Sequence, residues 1–190
     1  AATAAARGVL RNAGWDGTRP LVVFAPGAAY GTAKRWMPEY VARVATDLVR
    51  QRQATCALVG SAGDTPTTRE ILTMIDPQAA AHVIDLSGQT TLEVLAGVLG
   101  IAHACVANDS GAMHMAAAVG TPLVALFGPT REHETAPLTR SGRRADVLIH
   151  PVSCRPCMLR ECPIDHRCMK GITPERVYAS LTSLLSSTTT

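Results

Sequence analysis

The chain has 190 residues, of which 47% are apolar and 17% charged, with a formal net charge of +3. That length fits one domain, alone or with an appended loop region. A charge this small makes no case for nucleic acid, and no run of about 18 apolar residues exists to span a membrane.

Ala, Val and Leu dominate, as expected of helices packed on a buried parallel sheet. The start, AATAAARGVLRNAG, lacks the basic region and continuous apolar core of a secretory signal, and there is no initiator Met. The chain is therefore expected to be a piece of a longer, cytoplasmic protein. Residues 2–13 read as a short amphipathic helix, closed by the turn Gly14-Trp15-Asp16-Gly17. Leu21 to Ala25 reads as a first buried strand and Pro26-Gly27-Ala28-Ala29-Tyr30-Gly31 as the loop after it. Pro38, well placed in a first turn, opens a helix through about Arg52. Ala54 to Val59 is a second strand, closed by Gly60-Ser61-Ala62-Gly63-Asp64. A helix over Thr67 to Ile75 stops at Asp76-Pro77, and His82 to Asp85 is a short third strand. Thr91 caps a helix from Leu92 to about Ile101. An apolar run from Ala104 to Ala107 then ends at Asn108-Asp109-Ser110-Gly111, a small-residue helix covers Ala112 to Val119, and Pro122 to Phe127 is the next strand. Asp146 to Ile149 is a sixth strand, 150–172 an irregular cysteine-bearing loop, Pro174 to Leu185 a final helix, and SSTTT a frayed tail.

Strands alternating with helical patterns of about 10–15 residues predict βαβ units: an α/β, Rossmann-like parallel sheet of about six strands with helices on both faces. Ligands of such sheets bind at the carboxyl ends of the strands. Three loops there are glycine-rich, 26–33, 60–64 and 108–111. The last carries most information, because a strand ending in a polar turn that opens a helix presents unpaired N–H groups and a positive dipole end. That arrangement suits a phosphate or diphosphate. Asp109 is placed either to accept hydrogen bonds from sugar hydroxyls or to cap the helix, a task it shares with Ser110. His114, one turn in, is placed to contact phosphate or leaving group, or is structural. In the first loop Lys34 can reach phosphate oxygens as a mobile point charge, or is a surface lysine, and Trp36 reads as a packing anchor.

There is no G-x-G-x-x-G after the first strand, no G-x-x-x-x-G-K-[ST] and no G-x-S-x-G, which argues against a nicotinamide or flavin dinucleotide site, a P-loop and a nucleophile elbow. Seven arginines, Arg131, Arg140, Arg143, Arg144, Arg155, Arg160 and Arg167, favour an anionic partner or form a solvated basic face. Cys56 and Cys105 fall in apolar strands as small buried thiols. Cys154, Cys157, Cys162 and Cys168 are spaced C-x2-C-x4-C-x5-C, which is not two clean knuckles. No metal is expected there; zinc on these four is the lesser reading, beside loop stiffening and disulfides formed on purification.

The segments GAAYGTAKRWMPE, GQTTLEVLAGVLGIAHACVANDSGAMHMAAAVGTPLVALFGPT and SCRPCMLRECPIDHRCMKGITPERV, in that order, closely resemble the ADP-heptose:lipopolysaccharide heptosyltransferases, the second heptosyltransferases most of all. The resemblance covers roughly residues 20–180 and implies half of a two-domain, double-Rossmann (type B) glycosyltransferase, the carboxyl-terminal donor half. Residues 1–19 would be an interdomain linker or helix, 20–185 the nucleotide-sugar-binding domain and 186–190 a tail. It also implies that Lys34 neutralises the ADP diphosphate, Gly31 and Thr32 shape the loop around it, and Asp109 holds heptose hydroxyls. Ser110, Gly111 and Ala112 would offer amides to the phosphates with His114 nearby, and Thr90 and Thr91 would meet the adenosine. The donor would be ADP-heptose, with no cofactor. The acceptor would be the lipopolysaccharide inner core, reached through the missing amino-terminal half that supplies the base, with peripheral contact at the inner membrane. The alternatives are a stand-alone adenine-nucleotide module, a glycosyltransferase for another nucleotide sugar, and a metal-organised interaction domain around 154–168.

Overall fold

The computed structural model describes residues 2–139 and 144–186. Arg140, Arg143 and all of the tail but Ser186 lie outside the described residues. Six strands form one sheet: β1 (Leu21–Ala25), β2 (Thr55–Leu58), β3 (Val83–Asp85), β4 (Ala104–Asn108), β5 (Leu123–Phe127) and β6 (Ala145–Ile149). Every pairing is parallel, and the order is β3-β2-β1-β4-β5-β6. Chain progression reverses between β1 and β4, where Val22 lies opposite Ala104 and Ala25 opposite Ala107. In a doubly wound sheet this reversal leaves a crevice above the carboxyl ends of the two strands.

The central strands β1, β2, β4 and β5 are buried along their whole length and mostly apolar because both faces are covered, whereas the edge strand β6 is only partly buried. Val22, Phe24, Leu58, Val106 and Val124 point into one core with α2 (Pro38–Arg52), α3 (Thr65–Thr73) and α8 (Pro174–Ser186). The alternate residues Val23, Ala57, Cys105, Ala107 and Ala125 point into the other, with α1 (Ala2–Asn12), α4 (Leu92–Ile101) and α5 (Gly111–Val119). The stretch read as a linker or helix is a helix built into the domain: Ala6 and Leu10 are fully buried, and Trp15 donates its indole N–H to the Arg19 carbonyl at 3.0 Å.

The remaining helices, α6 (Glu132–Thr135) and α7 (Arg167–Lys170), are single turns that the sequence pattern did not reveal. The loop read as irregular over 150–172 therefore contains a helical turn. The third helix begins two residues earlier than its periodicity indicated, because the 3-10 turn Ala62–Asp64 leads straight into it with Pro66 in its first turn. None of the described helices is long and apolar enough to cross a membrane.

Arg155 fastens the chain after β5. Its guanidinium donates to the Gly128 and Thr130 carbonyls at 2.9 and 3.1 Å and to the Glu132 carboxylate at 2.8 Å. The Arg155 hydrogen bond, aided by a backbone one, holds the Glu132 carboxyl below its ordinary range. A depressed carboxyl contributes stability that is present above the ordinary glutamate range and lost as pH falls through the folded value. Urea unfolding at several pH values is expected to show Arg155→Gln losing more stability against the parent at pH 7 than at pH 3. An equal loss at both would contradict this coupling.

Candidate functional site

Two loops meet at the switch crevice. After β1, residues 26–31 lead into the 3-10 turn Thr32–Lys34. Gly31 has φ +152, and a Cβ there would stand 2.2 Å from the Arg160 carbonyl oxygen, so only glycine fits. The neighbouring Ala33 N–H donates to that same carbonyl at 2.9 Å, seating the loop on the cysteine segment. Tyr30 lies between two cations, with the Lys34 ammonium 5.1 Å and the Arg160 guanidinium 4.9 Å from its ring centroid.

After β4, Asn108 joins this loop to the sheet. Its side chain is almost wholly buried, donates to the Pro26 and Gly27 carbonyls at 2.8 and 3.3 Å, and accepts from the Trp36 backbone N–H at 3.3 Å. Trp36 is a packing anchor: it is 1% exposed, its indole donates to the Ile172 carbonyl at 2.7 Å, and it packs edge-on against Tyr40. The staple brings Lys34 to Asp109, whose Oδ2 lies 2.7 Å from the ammonium, with side-chain exposures of 14% and 7%. Lys34 and the turn after β4 therefore converge on one site.

Neither Asp109 nor Ser110 caps α5 with its side chain. Asp109 is committed to Lys34, and Ser110 sits at the cap position with extended backbone and no capping bond. The Ser110 hydroxyl is buried without a partner among the described residues. The first turn of this nine-residue helix is exposed at Gly111, and the leading amides of any helix lack an intrahelical acceptor.

The same turn lines a cavity of about 440 Å³ with Ser110, Gly111 and Ala112, joined by Thr90 and by apolar walls from Val59, Leu92, Leu95 and Met115. Leu92 is 74% exposed. Asp64 completes the wall through a capping box, its Oδ2 accepting from the Ser61 N–H and hydroxyl at 2.8 Å each. Gly27 admits it, because a Cβ there would fall 2.2 Å from the Asp64 carboxylate. Gly31 and Thr32 line an adjoining cavity of about 400 Å³. Thr91 caps α4, its hydroxyl accepting from the Val94 N–H at 3.2 Å, and does not line the main cavity. His114 is exposed on α5 and also stands outside that wall.

The sequence model of glycosyltransferase family 9 (heptosyltransferase) matches residues 2–167. The chain belongs to this family. The family 9 domain is 38% identical over 168 residues to lipopolysaccharide heptosyltransferase 2 of Salmonella typhimurium, across 88% of this chain and 47% of that protein. It is 36% identical over 173 residues to lipooligosaccharide heptosyltransferase 2 of Haemophilus influenzae, across 90% of this chain and 49% of that protein. It also matches the solved E. coli ADP-heptose lipopolysaccharide heptosyltransferase II, with a TM-score of 0.85 and 32% identity over 98% of this chain and 53% of that one. The family 9 domain thus spans about half the length of these relatives.

The residues that sequence reasoning did not single out are Asp64, Asn108 and the apolar wall. Two signals pointed to them: the Ser61-x-x-Asp64 box in a glycine-rich loop, and a leucine at the first, exposed position of a helix.

All six cysteines are free, and among the described residues no group of three or more His, Cys, Asp or Glu is arranged to hold a metal ion. Cys154, Cys157, Cys162 and Cys168 line one small cavity against Ala33 and Pro129. Burial pushes the Cys105 thiol up to about 12 and the Cys56 thiol higher still; burial also raises Cys168, helped by the charges of the other three clustered thiols. A short iodoacetamide pulse at pH 8, mapped by peptide mass, is expected to label Cys154, Cys157 and Cys162 first and to spare Cys56 and Cys105. Labelling of Cys56 as fast as Cys157 would contradict the packing.

Proposed function

We propose that this chain is the donor-binding half of a heptosyltransferase that moves heptose from ADP-heptose onto the inner core of lipopolysaccharide, working at the cytoplasmic face of the inner membrane. One observation carries the reading: the first residues of α5, Ser110, Gly111 and Ala112, line a nucleotide-sized cavity directly after Asp109, which pairs with Lys34, and the Ser110 hydroxyl has no partner among the described residues. On this reading the adenine enters the apolar wall of Val59, Leu92, Leu95 and Met115. The Asp64 carboxylate and Thr90 hydroxyl meet ribose hydroxyls, and the diphosphate lies over the amides of residues 110–112.

In transfer, an acceptor hydroxyl forms a bond to the anomeric carbon on the face opposite the diphosphate, with inversion. The bond from that carbon to the diphosphate oxygen breaks, ADP leaves with the electron pair, and the acceptor proton passes to a base in the other half. Negative charge grows on the departing diphosphate, where Lys34 and the α5 amides are already oriented. Asp109 aims the ammonium through Oδ2, while its other oxygen accepts no hydrogen bond from the described residues and takes a heptose hydroxyl. His114, exposed on the first turn of α5, is the remaining side chain assigned to the phosphate or leaving group. No cofactor is needed, because the stabilising charge comes from the protein. Removing one such contact typically costs about 2–4 kcal/mol of transition-state stabilisation.

Competition binding tests the assignment. ADP-heptose is expected to displace a fluorescent ADP analogue from the chain at least tenfold more effectively than UDP- or GDP-sugars. Equal displacement by all three would favour a different nucleotide sugar. Displacement by ADP but no gain from the heptose would favour an adenine-nucleotide module.

A further inference from the structure

We infer that Tyr30 is a positioning residue for the grip on the donor's diphosphate: its ring face steadies the Lys34 ammonium without neutralising it. The tie to the diphosphate rests on the donor-half reading above, whereas the contact itself does not.

Core packing does not account for this side chain. Of the three tyrosines, Tyr40 and Tyr178 pack against the first core, whereas Tyr30 belongs to neither core and is 44% exposed. Its contacts are with cations instead. The Lys34 ammonium stands over the ring at 5.1 Å from the centroid and the Arg160 guanidinium at 4.9 Å, both within reach of cation–π attraction. The loop that carries the ring is itself anchored. Gly31 abuts the Arg160 carbonyl, the Ala33 N–H donates to that carbonyl at 2.9 Å, and the Tyr30 hydroxyl donates to the Met158 carbonyl at 3.5 Å.

The ammonium therefore has two restraints of different chemistry. Asp109 Oδ2 takes one of its three N–H donors, and among the described residues no other acceptor engages it. A second carboxylate in place of the ring would cancel the charge and repel a diphosphate. A neutral ring attracts the cation through its quadrupole and leaves the remaining donors to phosphate oxygens. A lysine held in this way loses less side-chain freedom when the ligand arrives, and such preorganisation is read out as affinity. The hydroxyl is secondary, since its one hydrogen bond is long.

Lys34 and Lys170 are the two lysines of the sequence, so the 190-residue chain labelled with carbon-13 at lysine Cε gives two resonances. Protons over an aromatic face are shielded. The Lys34 ε-methylene signal is expected upfield of that of the exposed Lys170, and Lys170→Arg assigns the pair by removing one signal. Tyr30→Leu is expected to abolish the displacement and Tyr30→Phe to keep it. Because Tyr30 lies outside both cores, neither variant removes packed core volume. In calorimetry Y30L is expected to weaken ADP binding about fivefold and Y30F to change it by no more than about twofold. Adenosine, which lacks the diphosphate, is expected to bind Y30L and the parent alike. An undisplaced Lys34 signal, a displacement that survives Y30L, unchanged ADP binding in Y30L, equal losses for ADP and adenosine, or a Y30F as weak as Y30L would each overturn the assignment. If Y30L abolishes the displacement while the parent binds no ADP, the ring contact stands and the donor-half reading fails.

Discussion

Asp109→Ala is expected to lower the unfolding free energy by about 3 kcal/mol, and Lys34→Ala by a similar amount, because each strands a largely buried charge. Replacing both partners removes the penalty along with the attraction, so K34M/D109L is expected to recover most of that stability. Urea unfolding of the four proteins checks this. A double variant as unstable as the sum of the singles would mean that the two groups do not act as a pair. The same double variant is expected to bind ADP poorly despite being folded, which separates support of the fold from grip on the ligand.

Asn108→Ala is expected to cost about 3 kcal/mol, since it leaves the Trp36 N–H and the Pro26 and Gly27 carbonyls without a buried partner. Asn108→Asp keeps the shape and is expected to be worse at neutral pH. Its new carboxyl, when ionised, can accept from Trp36 but would face two carbonyl oxygens with no proton to offer. Burial and those carbonyls raise the folded-state pKa of such a carboxyl, so the variant is handicapped least below the ordinary aspartate range. Its deficit against the parent grows as pH rises through the unfolded-state pKa and levels off above the folded one. Paired urea titrations at pH 4 and pH 8 check the sign. A deficit that shrinks with rising pH would contradict the staple.

The fold was legible because parallel strands buried on both faces read as unbroken apolar runs, and the proline at 38 and threonine at 91 mark helix starts. What the sequence missed lies where tertiary contacts rule: single-turn helices such as Glu132–Thr135 are too short to carry a period, and although the first helix was read as a helix, its packing on α4 was not visible in its own pattern. The turn after β4 was legible because strand, turn and helix follow one another in sequence. The pairing of Lys34 with Asp109 was not, since the partners lie 75 residues apart and each alone has an ordinary explanation. The apolar wall was hidden for the same reason, because Val59 follows β2 while Leu92 and Met115 come from α4 and α5.

Titration of the 190-residue chain with ADP, followed by heat, tests the anion cradle most directly. The account predicts a saturable one-to-one isotherm for the parent and binding at least tenfold weaker in K34M/D109L. A folded parent chain that gives no saturable signal, or that binds ADP no better than K34M/D109L, would contradict it.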